Sequence, residues 1–221
     1  MDNPCSFSLK HYRRSLEEAQ GNGYSFLKMH EYIAQRRTID PNRKIILIRH
    51  DIDLDLDLAL NFLEIENELE IPATYFIRLH GKYNPLFYTN YKVIRRISEA
   101  GHEIGLHHDC DFAALFEKEA ESLLRHDLEI LQKIIDKPIL GISSHEPNQS
   151  RFKVGDEALG KFNLAYQAYS PLFLEEMKYI SDSSSRWREG CMCQFIENKT
   201  KRLCILTHPF WWYPQSPLQN H

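Results

Sequence analysis

The sequence predicts an α/β fold built on a largely parallel sheet. Three features predict it. The run Ile45 to Ile48 is apolar without interruption, as in a strand buried on both faces. After it, Leu58, Phe62, Ile65 and Leu69 recur at helical spacing. Strand-like and helical stretches then alternate for most of the chain, the order that lays helices against a parallel sheet.

Taken in order, His11 to Ala34 reads as one or two helices, interrupted near Gly21-Asn22-Gly23. Phe26, Met29, His30 and Ile33 fall on one face, which packs against the outside of the domain or closes one end of it. Thr38 to Arg43 is a loop into the strand that starts at Lys44. The helix of Leu58 to Leu69 stops before Pro72, because proline disfavours helical backbone in the residue before it. Ala73 to Ile77 is rich in aromatic and β-branched residues and reads as a second strand. A polar, aromatic loop, His80 to Asn90, leads to a helix marked by Val93, Ile94, Ile97 and Ala100 and ended by Gly101. His102 to Leu106 is a third strand, with His107, His108, Asp109, Cys110 and Asp111 at its end. Leu124, Leu128, Leu131 and Ile135 mark a further helix, and Pro138 to Ser143 a fourth strand. Phe162 to Tyr169 and Lys178 to Ser181 are candidate strands, and Arg202 to Thr207 is the last.

Composition narrows the function. The 221 residues suit one sizeable domain with a complete core. With 43% hydrophobic and 26% charged residues, the chain has the make-up of a soluble globular protein. A net charge of -4 argues against nucleic acid as the main partner, since phosphate-binding surfaces carry a basic excess. No apolar run approaches the roughly 20 residues that span a bilayer. Met1 to Gln20 lacks the apolar core of a signal peptide, which points to a cytoplasmic protein. The five cysteines show no Cys-x-x-Cys spacing, so neither a disulfide framework nor a structural zinc knot is implied. Cys191-Met192-Cys193 reads as part of a strand or its edge.

Four strand ends carry polar groups of one kind. They are Asp51 with Asp53, His107 to Asp111, His145, and His208. In a parallel α/β fold these ends lie on one face, where ligands bind. Carboxylates and imidazoles there cost desolvation unless something compensates. A divalent metal does so, and this donor set suits zinc first, with iron, cobalt, nickel or manganese as alternatives. A single Asp would be explained as a helix cap, but Asp51, Asp53, Asp55 and Asp57 are too many for one cap. His30 and His126, on helices, read as ordinary surface or packed histidines, and His11 and His221 are given no role.

These residues carry a resemblance. A strand into Asp51-Ile52-Asp53, then Ala73-Thr-Tyr-Phe76, Gly101-His-Glu-Ile-Gly-Leu-His107 and Leu206-Thr-His-Pro209 resemble the polysaccharide deacetylase, or NodB-homology, family over about Lys44 to Trp212. The form His50-Asp51-Ile52-Asp53 resembles a divergent branch of it. The resemblance implies a distorted (β/α) barrel of about seven strands. It divides the chain into an N-terminal helical segment, residues 1–43, packed on a catalytic domain, residues 44–221. It implies one divalent metal, zinc foremost, and hydrolysis of the acetyl amide of an amino sugar, sugar nucleotide or surface-polysaccharide precursor. Residue by residue, it makes Asp51 the general base, Asp53 and His107 metal ligands, and His208 the general acid.

Three departures follow. Asp111 stands where the family has a second ligand histidine. The preferred third ligand is therefore His145, with Asp111 the main alternative and His108 and Asp109 behind it. The family's arginine that steadies the base is matched by His145-Glu146-Pro147, and His145 cannot both steady Asp51 and bind metal. The usual final helix is missing or very short. Trp187, Trp211, Trp212, Tyr83 and Tyr88 offer walls for a sugar ring, or plain packing. Ser181 to Arg188 reads as a substrate loop, with Asp182 and Arg186 near the site. Two other functions compete: a catalytically inactive, deacetylase-like glycan-binding protein, and a glycosidase using Asp51 and Asp53. The glycosidase ranks last, because residues at i and i+2 on a strand share one side, whereas its carboxylates must flank the scissile bond.

Overall fold

The structure, a computed structural model, describes residues 5–109, 111–112, 119–149 and 152–216. Cys110 and His221 lie outside the described residues. The strands are β1 (Ser25–Phe26), β2 (Ile45–Ile52), β3 (Thr74–Ile77), β4 (Glu103–His108), β5 (Gly141–Ser144), β6 (Tyr166–Gln167), β7 (Lys178–Ser181) and β8 (Arg202–Thr207). The helices are α1 (Leu9–Gly21), α2 (Met29–Gln35), α3 (Asp57–Glu68), α4 (Tyr88–Glu99), α5 (Ala120–Ile135), α6 (Pro171–Leu174) and α7 (Met192–Glu197). All pairings between these strands are parallel, in the order β6-β5-β4-β3-β2-β8-β7. This is the α/β architecture of an open, distorted (β/α) barrel. β8 runs along one edge of β2, while β1 and β3 share the other, β1 at Ile45–Ile46 and β3 at Arg49–Ile52. Residues before Ile45 thus add a strand as well as helices.

β2 is buried over its whole length, and its twofold period sorts its residues between two cores. Ile46, Ile48 and Ile52 join the larger core beneath α1 and α3, with Tyr12, Leu16, Phe62 and Leu63. Ile45 and Leu47 join the barrel interior, with Met29, Phe76, Tyr166 and Cys204. The interior has little room. A Cβ on Gly141 would lie 2.0 Å from the Tyr166 ring, so only glycine lets that ring fill the barrel.

The same alternation splits the polar end of β2. His50 turns toward the larger core, where its Nε2 is 2.7 Å from Glu66 Oε1 and its Nδ1 2.6 Å from Thr207 Oγ1. Tyr12 and Tyr75 donate to Glu66 at 2.6 and 2.5 Å. Arg49 and Asp51 turn the other way, toward the site.

Some expectations are corrected. Cys191 and Cys193 are not in a strand: Cys191 is the N-cap of α7 and Cys193 lies in its first turn. Phe26 sits on β1 rather than on a helix face with Met29. In keeping with the expected loss of the final helix, the described residues after β8 make only a single 3-10 turn, Pro209–Trp211, and Trp212 is completely buried. Among the described residues, no helix is long and apolar enough to cross a membrane.

Candidate metal centre and active site

Asp51 is buried at the end of β2, and two groups hold its Oδ2. Arg49 Nη2 donates at 2.8 Å and Ser143 Oγ at 3.2 Å, and Arg49 Nη2 also donates to Ser143 Oγ at 2.9 Å. The guanidinium is fixed in turn by the Ala168 carbonyl at 3.1 Å and lies over the Tyr169 ring at 4.7 Å. Burial alone would raise the Asp51 pKa, but Arg49, helped by His107 and His208, holds the carboxyl below its usual range. Its other oxygen, Oδ1, is buried without a hydrogen-bond partner. Asp51 is therefore ionised, with one oxygen locked and one open.

Asp53, His107 and His145 place one donor atom each within 4.8 Å of one another. Asp53 Oδ1 is 3.0 Å from His107 Nε2 and 3.4 Å from His145 Nδ1, and the two ring nitrogens are 3.3 Å apart. On the far side of its ring, His107 Nδ1 lies 3.0 Å from the Ser143 carbonyl, which can only accept. That proton on Nδ1 leaves Nε2 of the neutral ring as a bare lone pair. A lone pair, a carboxylate oxygen and a second imidazole thus face one another, and Asp53 Oδ1 is buried without a hydrogen bond. Acceptors converging in a buried place fit a cation between them. Asp111, at the start of the segment after β4, is not in this group, nor are His108 and Asp109. Asp109 pairs with Arg78, and His108 alternates to the opposite side of β4 from His107.

His208 stands across from this group, its Nε2 3.8 Å from Asp53 Oδ2. Asp182 lies behind it. His208 Nδ1 is 2.6 Å from Asp182 Oδ1, and the His208 backbone N–H donates to the same carboxylate at 3.0 Å. Trp212 Nε1 donates to Asp182 Oδ2 at 2.7 Å. Burial would lower the His208 pKa, but Asp182, with Asp51 and Asp53 behind it, raises it to about 9. The imidazole is thus kept protonated, with Nε2–H toward the site.

The sequence reading puts Asp182 on a substrate loop; the structure buries it fully, with both oxygens engaged by His208 and Trp212. Arg186 is exposed, and its backbone N–H donates to the Asp182 carbonyl. Trp187 stacks on Phe7 at 5.8 Å and meets Trp212 edge-on, so much of it is packing. Trp211 is half-buried beside Phe210. Tyr83 donates to the Ile52 carbonyl at 2.8 Å, while Tyr88 stands exposed at the start of α4. Arg49 and Ser143 belong to the site without being among the residues the sequence singles out. The signal for Arg49 is its position two residues before Asp51, on the same side of the same strand.

The fold resembles those of several solved carbohydrate deacetylases and of a related pseudoenzyme. The chain superposes on a CE4 family pseudoenzyme from Bacillus anthracis with a TM-score of 0.52 and 16% identity, over 77% of this chain and 56% of that one. It superposes on a polysaccharide deacetylase from Bacillus cereus with a TM-score of 0.51 and 19% identity, over 80% and 83%. For the chitin deacetylase of the fungal pathogen Colletotrichum lindemuthianum the values are 0.52 and 17%, over 79% and 78%. This chain has the polysaccharide deacetylase fold. It spans a little over half the length of the Bacillus anthracis chains. No family model matches the sequence. No curated protein matches it either.

If Asp182 sets the charge of His208, Asp182→Asn brings the His208 pKa down from about 9 toward its ordinary 6.5. At pH 8 the protonated fraction then falls about thirtyfold. An NMR titration of the His208 ring checks this, and an unchanged midpoint excludes the role.

Proposed function

We propose that this protein is a metal-dependent amide hydrolase that removes the acetyl group from an amino sugar, free, nucleotide-linked or within a surface-polysaccharide precursor. The observation that carries the reading is the meeting of Asp53, His107 and His145 between an ionised Asp51 and a protonated His208. Asp53, His107 and His145 would hold the ion, with zinc the best match to two imidazoles and a carboxylate. When bound, such an ion polarises the amide carbonyl and acidifies a water molecule. Asp51 would serve as the base, with its open oxygen, Oδ1, free to accept a proton while Arg49 and Ser143 keep Oδ2 in place. His208 gives its Nε2 proton to the departing amine, and Asp182 holds its ring in the orientation that does so. Trp211 and the exposed Arg186 are the proposed contacts for the sugar, with Trp187 offering whatever edge its packing leaves open.

The neighbour described as a pseudoenzyme supports a second reading, a glycan-binding protein without turnover. One experiment separates them. Metal content is measured for the purified protein and Asp53→Ala, beside a screen of N-acetylated sugars and sugar nucleotides for released acetate. Asp53→Ala is expected to lose one metal equivalent and all turnover. Full metal content and full activity in that variant defeat the proposal. Glycan binding with no acetate release in the unmodified protein favours the second reading.

A further inference from the structure

A second group of ligand-type side chains lies outside this site. Cys5, His11, Cys191 and Cys193 place one donor atom each within 4.8 Å of one another. Cys5 Sγ and Cys193 Sγ are 3.7 Å apart, and His11 Nε2 is 3.1 Å from Cys191 Sγ. Around a tetrahedral zinc ion with Zn–S arms of about 2.3 Å, neighbouring sulfurs sit about 3.8 Å apart. The sulfur pair therefore already has the spacing of two ligands of one ion, and far more than the roughly 2.05 Å of a disulfide. Three thiols and one imidazole form one of the common closed zinc sets, with no position left for substrate.

We propose that Cys5, His11, Cys191 and Cys193 bind a structural zinc ion. On binding, each thiol gives its proton to solvent, and the neutral imidazole donates its Nε2 lone pair, so the filled site carries one net negative charge. Arg14 is close enough to act electrostatically on His11 and offsets part of it. The ligands come from opposite ends of the chain. Cys5 and His11 flank the start of α1, and Cys191 and Cys193 open α7. Between the first two, Phe7 lies on Trp187 and Trp212, and Trp212 holds Asp182 behind His208. The ion would fasten the N-terminal segment over the loop that positions His208.

The bland alternative is a cluster of buried thiols, since cysteine packs well as a small apolar side chain. The test uses the full chain carrying Asp53→Ala, which removes a ligand of the other centre, purified under reducing conditions. It is expected to retain about one zinc per chain, and Cys193→Ser in the same background to retain none. Should Cys193→Ser fail to fold, the Asp53→Ala protein loaded with cobalt in place of zinc keeps the idea testable. A thiolate-to-cobalt charge-transfer band with the spectrum of tetrahedral cobalt supports it. No zinc in Asp53→Ala, no thiolate band with cobalt, or a Cys5–Cys193 disulfide by mass spectrometry in the protein as isolated overturns it. None of these readouts depends on amide hydrolysis.

Discussion

Asp51→Asn is expected to lower amide hydrolysis by about a hundred to ten thousand fold while metal content stays unchanged. Asparagine keeps the shape of the side chain and its contacts with Arg49 and Ser143, but its amide cannot take a proton from water. The open Oδ1 is what makes the expectation sharp: it is the one oxygen of this carboxyl that no neighbour occupies. His208→Ala is expected to lose activity with metal retained, since its Nε2 stands 3.8 Å from Asp53 and outside the converging trio. Asp53→Ala is expected to lose activity together with the one metal equivalent held by Asp53, His107 and His145. Measured together, activity and metal content separate base, acid and ligand. Metal loss in Asp51→Asn with retention in Asp53→Ala would reverse the two aspartates. Full activity in both Asp51→Asn and His208→Ala would remove the mechanism. A binding protein would show a fourth pattern: no turnover in any form, and glycan affinity little changed by Asp51→Asn.

Much of this arrangement is legible in the sequence because parallel strands order their own ends. Apolar runs announce β2 and β8, Ile104 and Leu106 mark β4 after its helix, and the polar residues at the ends of these strands come to one face. That places Asp51, Asp53, His107 and His208 without any knowledge of distance. His145 is harder, because β5 is only four residues long and the sequence leaves two uses for the side chain. Arg49 donates to Asp51 from two residues earlier on the same strand, so His145 is not needed to steady it, and that supports the proposal that His145 is a metal ligand. Asp182 is illegible for a different reason. Its loop looks polar and exposed, and only the burial of Trp212 across from it turns the carboxylate inward. The cysteine group is hidden by separation, since Cys5 and Cys193 lie 188 residues apart with no local motif to join them.

The His50 side of β2 yields the largest expected effect on stability. Glu66 is fully buried and accepts hydrogen bonds from Tyr12 and Tyr75 at 2.6 and 2.5 Å, with His50 at 2.7 Å. Burial would raise its pKa, but His50, His102 and Tyr12 together hold it below the usual 4.5. A carboxyl depressed in the folded state contributes stability that is complete above its unfolded pKa, near 4.5, and is lost as pH falls through the folded value. Glu66→Gln replaces the charge with an amide that turns an N–H toward one of its donors. Breaking a buried, charged hydrogen-bond group of this kind costs about 3–5 kcal/mol. Denaturant unfolding at pH 7 is expected to show that loss. The gap between variant and parent should then narrow as pH drops below about 4.5, where the parent loses the same charge. A constant gap from pH 7 down to acid unfolding would mean that packing and not the charge on Glu66 holds α3 against β2 and β3. Because the side chains of Glu66 and His50 face away from Asp51, the variant should leave metal content at Asp53 intact in the fraction that folds.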